Sequence, residues 1–260
     1  MPRRIGIVSA LHEELAAVLA LLPDDQVQTI AGREFRRGHW HGQELVTVLS
    51  RVGKVAAATT ATVLIERFGV EQIVFTGTAG GLGEGVAVGD VVVADAFLQH
   101  DIDASPLFPR HEVPLYGRSR FPADPALAAR LAHAARHVLA RPERTLGPDA
   151  VRDFALARPR VHTGLVVSGD RFVATAGEST ALRQELPQAL AVEMEGAAMA
   201  QVCLDYGVRF AALRTVSDRA DDSAHVDFSR FAAQVASRYS AAMLEAYLQQ
   251  VLADDAPTPA

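Results

Sequence analysis

Sulfur and large aromatics are scarce in this chain. It has one cysteine, Cys203, one tryptophan and four methionines in 260 residues. One cysteine cannot close an internal disulfide, so a reducing compartment fits. Cys203 falls in a helical pattern and reads as a small buried hydrophobe. Long apolar runs are missing too. No uninterrupted stretch reaches the ~18 residues that a membrane-spanning helix needs. The run IGIVSAL after Arg3 and Arg4 is stopped by His12, Glu13 and Glu14, too early for the core of a signal peptide. No block of Lys and Arg stands out, and the net charge is −6 with a pI near 5.8. That excludes nucleic acid and anionic membrane surfaces as favoured partners. Metal-ligand spacing is lacking as well. His12 with Glu13 and Glu14, and His100 with Asp101 and Asp103, show neither HExxH nor paired Cys/His spacing. These absences predict a cytoplasmic protein without a metal or a cofactor.

What is present is apolar sequence, 49% of the chain, in two kinds of run. Short Val- and Ile-rich runs at 4–10, 44–50, 72–79, 90–97, 162–170, 189–194 and 209–218 read as strands covered on both faces. Longer, Ala-rich stretches at 11–21, 54–68, 123–139, 177–186, 195–206 and 227–252 have helical spacing. The alternation predicts an α/β fold: three layers, α/β/α, with a central mixed, mostly parallel sheet. The stretch EFRRGHWHGQELVTV alternates around a turn and predicts a hairpin, which makes the sheet mixed. A single domain is expected over 1–252, with 253–260 as a disordered tail. Two segments look irregular. The Pro-rich 101–122 carries Leu, Phe and Tyr and reads as a functional loop. The charged 141–160 reads as a surface insertion.

Polar residues collect where the apolar runs end. Ligands of open α/β sheets bind at the carboxyl ends of strands. LHEE follows the first run, TGTAGGLGEG the third, SGDRFV the fifth, and SDRADD the last. The run 189–192 ends in Glu193-Met194-Glu195. Any one of these could be a helix cap or a turn; together they point to one site. GTAGGLGEG fits neither a dinucleotide fingerprint nor a P-loop. Its glycines suit close backbone approach or tight turns, and Thr76 and Thr78 are candidate ligand donors. Two carboxylates in the apolar AVEMEG pose a cost, since an unpartnered buried charge is expensive.

The blocks GIVSALHEEL, VGKVAAA, FTGTAGGL, VVSGDRFV, AVEMEGAA and LRTVSDRAD, in that order, resemble the nucleoside phosphorylase/hydrolase superfamily. They look most like the bacterial 5'-methylthioadenosine/S-adenosylhomocysteine nucleosidases, over about residues 4 to 250. The resemblance implies hydrolysis of an N-glycosidic bond to adenine, with methylthioadenosine, S-adenosylhomocysteine and 5'-deoxyadenosine as substrates. It implies Asp218 as general acid to N7, oriented by Ser217. It implies Glu14 as the carboxylate that activates water, with Thr78 and Arg214 as helpers. Glu195 and the backbone of Met194 match the ribose grip. Phe172 matches the ring that stacks on adenine, and the backbone of Val173 matches the reader of the base edge. Leu11, Val52 and Phe228 match the apolar pocket for the 5' substituent, with Ile102, Leu107, Phe108 and Pro114 of the long loop expected to complete it. The family also implies a homodimer. Glu193 reads as a supporting residue. Asp221 and Asp222 read as caps, and His225 and Asp227 as part of a loop over the site.

Alternatives remain open. A phosphorylase needs a cation beside the sugar, and Arg51 could offer one, although Glu14 suits water better than phosphate. The loop 101–122 departs from the bacterial pattern, which leaves a futalosine-type substrate open, with Arg110 either pairing a substrate carboxylate or solvated. A non-catalytic nucleoside-binding protein is the reading from another class.

Overall fold

The computed structural model describes residues 4–20, 22, 24–219 and 228–255. Asp221, Asp222, His225, Asp227 and the tail residues 256–260 lie outside them.

The chain starts with β1 (Ile5–Ser9), α1 (His12–Leu19), β2 (Gln26–Ile30), β3 (Arg33–Trp40), β4 (Gln43–Leu49) and α2 (Lys54–Phe68). Then come β5 (Gln72–Gly81), β6 (Val91–Gln99), β7 (Arg120–Pro122), α3 (Pro125–Leu139), α4 (Pro142–Leu146) and α5 (Pro148–Asp153). The last part holds β8 (Val161–Ser168), α6 (Ala176–Glu185), β9 (Ala189–Glu193), α7 (Gly196–Tyr206), β10 (Arg209–Asp218), α8 (Phe228–Phe231) and α9 (Ser237–Asp255). A π-helical turn, Ala232–Ala236, joins the last two helices.

β5 is the hub of the sheet. It pairs in parallel with β1 and β10 and, at its far end, antiparallel with β9. The order β10-β6-β8-β9-β5 therefore closes on itself through β10–β5, while β1-β4-β3-β2 extends outward from β5. The long pairings β1–β4, β5–β10 and β6–β8 are parallel. The expected hairpin is β3–β4, antiparallel.

Successive apolar residues along the strands point to opposite faces and feed two large cores, with a smaller third cluster around Leu98, Leu165 and Val167. Val74 faces Ile5, Ile7, Leu213 and the α3 and α9 side chains; Ile73 and Phe75 face Val8, Val46 and the α2 and α7 side chains. Helices thus cover both faces, as continuous apolar strands require. Helix ends follow local chemistry. Asp124 caps α3 by accepting from the Leu127 amide, with Pro125 next, a placement in which proline loses no bond. Gly69 and Gly207 end α2 and α7 in the left-handed conformation, which costs glycine little.

Two expectations need correction. Segment 141–160 is not a surface insertion: α4, α5 and the turn after them place Leu146, Val151 and Leu156 in the core, with α4 packed on α9. Its charged residues face outward and hide that stripe. The helix predicted to end at 252 runs on to Asp255. Strand β2 has no apolar signature, because as an exposed edge it buries almost nothing. No helix among the described residues is long and apolar enough to cross a membrane.

Candidate active site

The cavity lies where β5 meets β9. Their antiparallel pairing is short, Gly80 opposite Val192 and Gly81 opposite Ala191. It joins the carboxyl ends of two sets of strands that otherwise run in opposite directions. Glycine permits the crossing: a Cβ on Gly81 would lie 3.0 Å from Val216 Cγ1. The cavity, of about 240 Å³, is lined by residues from α1, β5, β9 and β10, from the loops after β1, β4, β8 and β9, and by Phe228 of α8.

Glu14 is 1% exposed. Helix α1 begins after Leu11, whose side chain cannot cap. Instead the Glu14 carboxylate reaches back and accepts from the Ala10 and Leu11 amides at 3.2 and 3.1 Å. This is the carboxylate half of a capping box. The other oxygen accepts from the Thr78 amide at 2.9 Å and the Thr78 hydroxyl at 3.0 Å. Burial raises the Glu14 pKa above the usual glutamate value, and the Arg214 charge and the bonds from Leu11 and Thr78 hold it back only in part. Gly77 makes room for the group: a Cβ there would stand 2.6 Å from the Arg214 guanidinium and 3.1 Å from each Glu14 oxygen.

Glu193, Glu195 and Arg214 form a second buried cluster. Glu193 accepts from the Ser168 hydroxyl, from the Glu195 and Gly196 amides, and from Arg214. Arg214, 1% exposed, also stacks over Phe75 and lies 3.9 Å from Glu195. Glu193 thus answers the cost of burial with a full set of donors and leaves Arg214 bonded to it rather than to Glu14. Glu195 is less satisfied. It is 4% exposed and accepts from the Gly53 amide at 2.9 Å. Burial, then the charge of Glu193, push its pKa up to about 8.

Asp218 and Ser217 end β10. The β10–β5 register slips between Val216 and Asp218, a bulge at Ser217 that re-aims the strand end. The Ser217 hydroxyl donates to Asp218 at 2.7 Å. Across the cavity are Phe172, 46% exposed, and Val173. Leu11, Val52, Met194 and Phe228 complete the wall.

All twelve residues expected in the site (Leu11, Glu14, Val52, Thr78, Phe172, Val173, Met194, Glu195, Arg214, Ser217, Asp218 and Phe228) line this one cavity. Other candidates do not. Thr76 is turned to Ser9, its hydroxyl 3.1 Å from that of Ser9. Arg51 donates to the Gly32 carbonyl. Ile102, Leu107, Phe108 and Pro114 are not among the lining residues; Ile102 packs on the core and Leu107 is 84% exposed. Arg110 pairs with Glu185 at 2.5 Å. Missed by sequence reasoning were Arg171 at the rim, the Gly53 amide on Glu195, and Ser168 behind Glu193. An amide carries no sequence signal, and the other two lie within the quoted VVSGDRFV block.

The family model described as the phosphorylase superfamily matches residues 4–249. The 5'-methylthioadenosine/S-adenosylhomocysteine nucleosidase of Shewanella loihica is 32% identical over 95% of this chain and 100% of its own length. The Neisseria meningitidis enzyme of the same name, solved with methylthio-immucillin-A, superposes with a TM-score of 0.83 at 30% identity, over 95% of this chain and 99% of that one. The futalosine hydrolase of Helicobacter pylori superposes with a TM-score of 0.81 at 30% identity, over 95% and 98%. The chain belongs to the phosphorylase superfamily and, within it, to the family of the 5'-methylthioadenosine/S-adenosylhomocysteine nucleosidases.

Proposed function

We propose that this protein hydrolyses the N-glycosidic bond of 5'-substituted adenosines, methylthioadenosine and S-adenosylhomocysteine foremost, to adenine and the 5-substituted ribose. The observation that carries the reading is the meeting of three carboxyl groups, Glu14, Glu195 and Asp218, in one cavity. Each has a separate task. Asp218, oriented by the Ser217 hydroxyl, gives a proton to N7 as the C1'–N9 bond breaks. The sugar becomes a ribosyl cation, which the buried carboxylates stabilise. Glu14 takes a proton from water as the water oxygen bonds to C1', and Thr78 holds Glu14 in position. Glu195 accepts from both ribose hydroxyls beside Met194. Phe172 stacks on the base and the Val173 backbone reads its edge. Leu11, Val52 and Phe228 enclose the 5' group.

Hydrolysis is favoured over phosphorolysis by charge. Arg51 is turned away to Gly32, Arg214 is bonded to Glu193, and a buried glutamate next to the sugar repels phosphate. A futalosine-type hydrolase is the second reading. It draws on the half-exposed Val52, which leaves the 5' end of the cavity open to a larger group.

The test is turnover of methylthioadenosine, S-adenosylhomocysteine, 5'-deoxyadenosine, futalosine and inosine, each with and without phosphate. Free adenine and free sugar without phosphate are expected. Base release that needs phosphate and yields a sugar 1-phosphate would overturn the reading. The same proposal includes a cytoplasmic homodimer. Val55, Leu107 and Leu115 are 79 to 91% exposed, and a second copy would cover them. Light scattering that gives the mass of one chain would refute the dimer.

A further inference from the structure

Three polar residues outside the cavity form a closed ring around one side of it. The Lys54 amide donates to Asp170 Oδ1 at 2.8 Å. The Asp170 amide donates to Asp101 Oδ2 at 2.8 Å. The Lys54 ammonium donates to Asp101 Oδ1 at 2.6 Å and to Gln99 at 3.1 Å, with Asp170 Oδ2 4.0 Å away. The ring ties the start of α2 to the loops that follow β6 and β8.

Its position relative to the site gives it meaning. Helix α2 has Gly53 as its N-cap and so no capping side chain of its own. The first two amides of that turn are taken by carboxylates from elsewhere: Gly53 by Glu195 and Lys54 by Asp170. The helix N-terminus carries a partial positive charge, and the ring aims it at Glu195. Phe172 follows Asp170 by two residues. Gly53 is at φ +98, and a Cβ on it would lie 3.1 Å from Asp170 Oδ1, so the turn and the carboxylate are closely fitted. The Lys54 side chain is 17% exposed and Asp101 28%, which limits screening of the pair by water.

We propose that Lys54, Asp101 and Asp170 are positioning residues, a ring that fixes the Gly53 amide against Glu195 and the Phe172 ring over the cavity. The claim rests on the nucleosidase reading for its effect on turnover, but not for its effect on the empty protein. Without the ring, the two residues that grip ribose and base are held less well, and grip is lost in ground and transition state alike.

The test uses the full chain with Lys54→Met, Lys54→Arg and Asp101→Asn. In Lys54→Met the KM for methylthioadenosine should rise about tenfold, with kcat within about twofold, as expected when uniform binding is lost. Lys54→Arg, which keeps a cation for Asp101, should recover most of it. Asp101→Asn keeps shape and an acceptor for Asp170, and should fall between them. Hydrogen exchange in the ligand-free protein is the second readout. Backbone 51–57 and 169–173 should exchange about tenfold faster in Lys54→Met, with α9 unchanged. An unchanged KM, or a fall in kcat alone that tracks lost folded protein, overturns the proposal. So does unchanged exchange in those two segments. If the wild-type protein releases no base from any nucleoside, the functional reading fails and exchange alone decides the ring.

Discussion

The Glu195 proton offers the sharpest test of the site. The carboxyl group is buried, Glu193 on the same strand end adds a like charge, and Glu14 from α1 adds another; Arg214 from β10 and the Gly53 amide oppose them. The net result is a pKa of about 8 in place of the usual 4.5. A ribose diol donates two hydrogen bonds, and the ionised carboxylate accepts both best. With a pKa so raised, the empty protein is expected to hold a proton on Glu195 at neutral pH, and in the proposed ribose contact the substrate displaces it. The ionised fraction is ~0.1 at pH 7 and ~0.01 at pH 6. Affinity for a non-hydrolysable methylthioadenosine analogue should thus weaken about tenfold per pH unit below 8 and level off above it, ~1.4 kcal/mol per unit. Titration calorimetry in two buffers of different ionisation heat should count about one proton released at pH 6 and none at pH 9. Glu195→Gln should bind weakly with no slope. Stability of the empty protein carries the opposite sign. The unfolded glutamate ionises near 4.5 and the folded one near 8, so this group's contribution is complete below 4.5 and falls as pH rises to 8. Affinity that is flat from pH 6 to 8, or binding without proton release, would refute the reasoning.

Three further outcomes are expected. Gly77→Ala drives a methyl group between Arg214 and Glu14; kcat/KM should fall about 100-fold while urea denaturation shows a loss of only ~1–3 kcal/mol. Leu156→Ala should cost ~2–5 kcal/mol by the same denaturation, because it empties a buried site; a loss under ~0.5 kcal/mol would return 141–160 to the surface. Arg110→Ala breaks only a half-exposed pair with Glu185, so stability should change by less than ~1 kcal/mol, and the rate order among the nucleosides should not change.

The parts of the site carried by strand ends were legible in sequence, because a buried Val/Ile run announces where its polar end lies. Glu14, Glu195 and Asp218 each follow such a run directly. The ring of Lys54, Asp101 and Asp170 gave no such signal. Its members are ordinary polar residues on one helix start and two loops, with Lys54 and Asp101 47 positions apart and Asp101 and Asp170 69, and only the tertiary fold joins them. Segment 141–160 was misread for a related reason. Arginines, glutamate and aspartates outnumber the apolar residues there, yet Leu146, Val151 and Leu156 suffice to bury one side. The polar QVQTI of β2 had no pattern to read, since an edge strand exposed on both faces needs none.

The closure of the sheet explains why the carboxylates gather at all. In an open parallel sheet every carboxyl end points the same way, and a site draws on adjacent strands. Here β6, β8 and β9 run against β1, β4, β5 and β10, so Glu193 and Glu195 would ordinarily lie at the opposite edge from Glu14 and Asp218. The two-residue crossing of β5 on β9 cancels that separation. It needs a strand tail with almost no side chains, and GTAGG at 77–81 provides one, with Val216 close to Gly81 and the Glu14 and Arg214 side chains close to Gly77. The glycine-rich stretch therefore serves neither nucleotide phosphate nor flexibility. It is the thin part of the wall, through which two opposed sets of strands bring three buried carboxyl groups to one substrate-sized space.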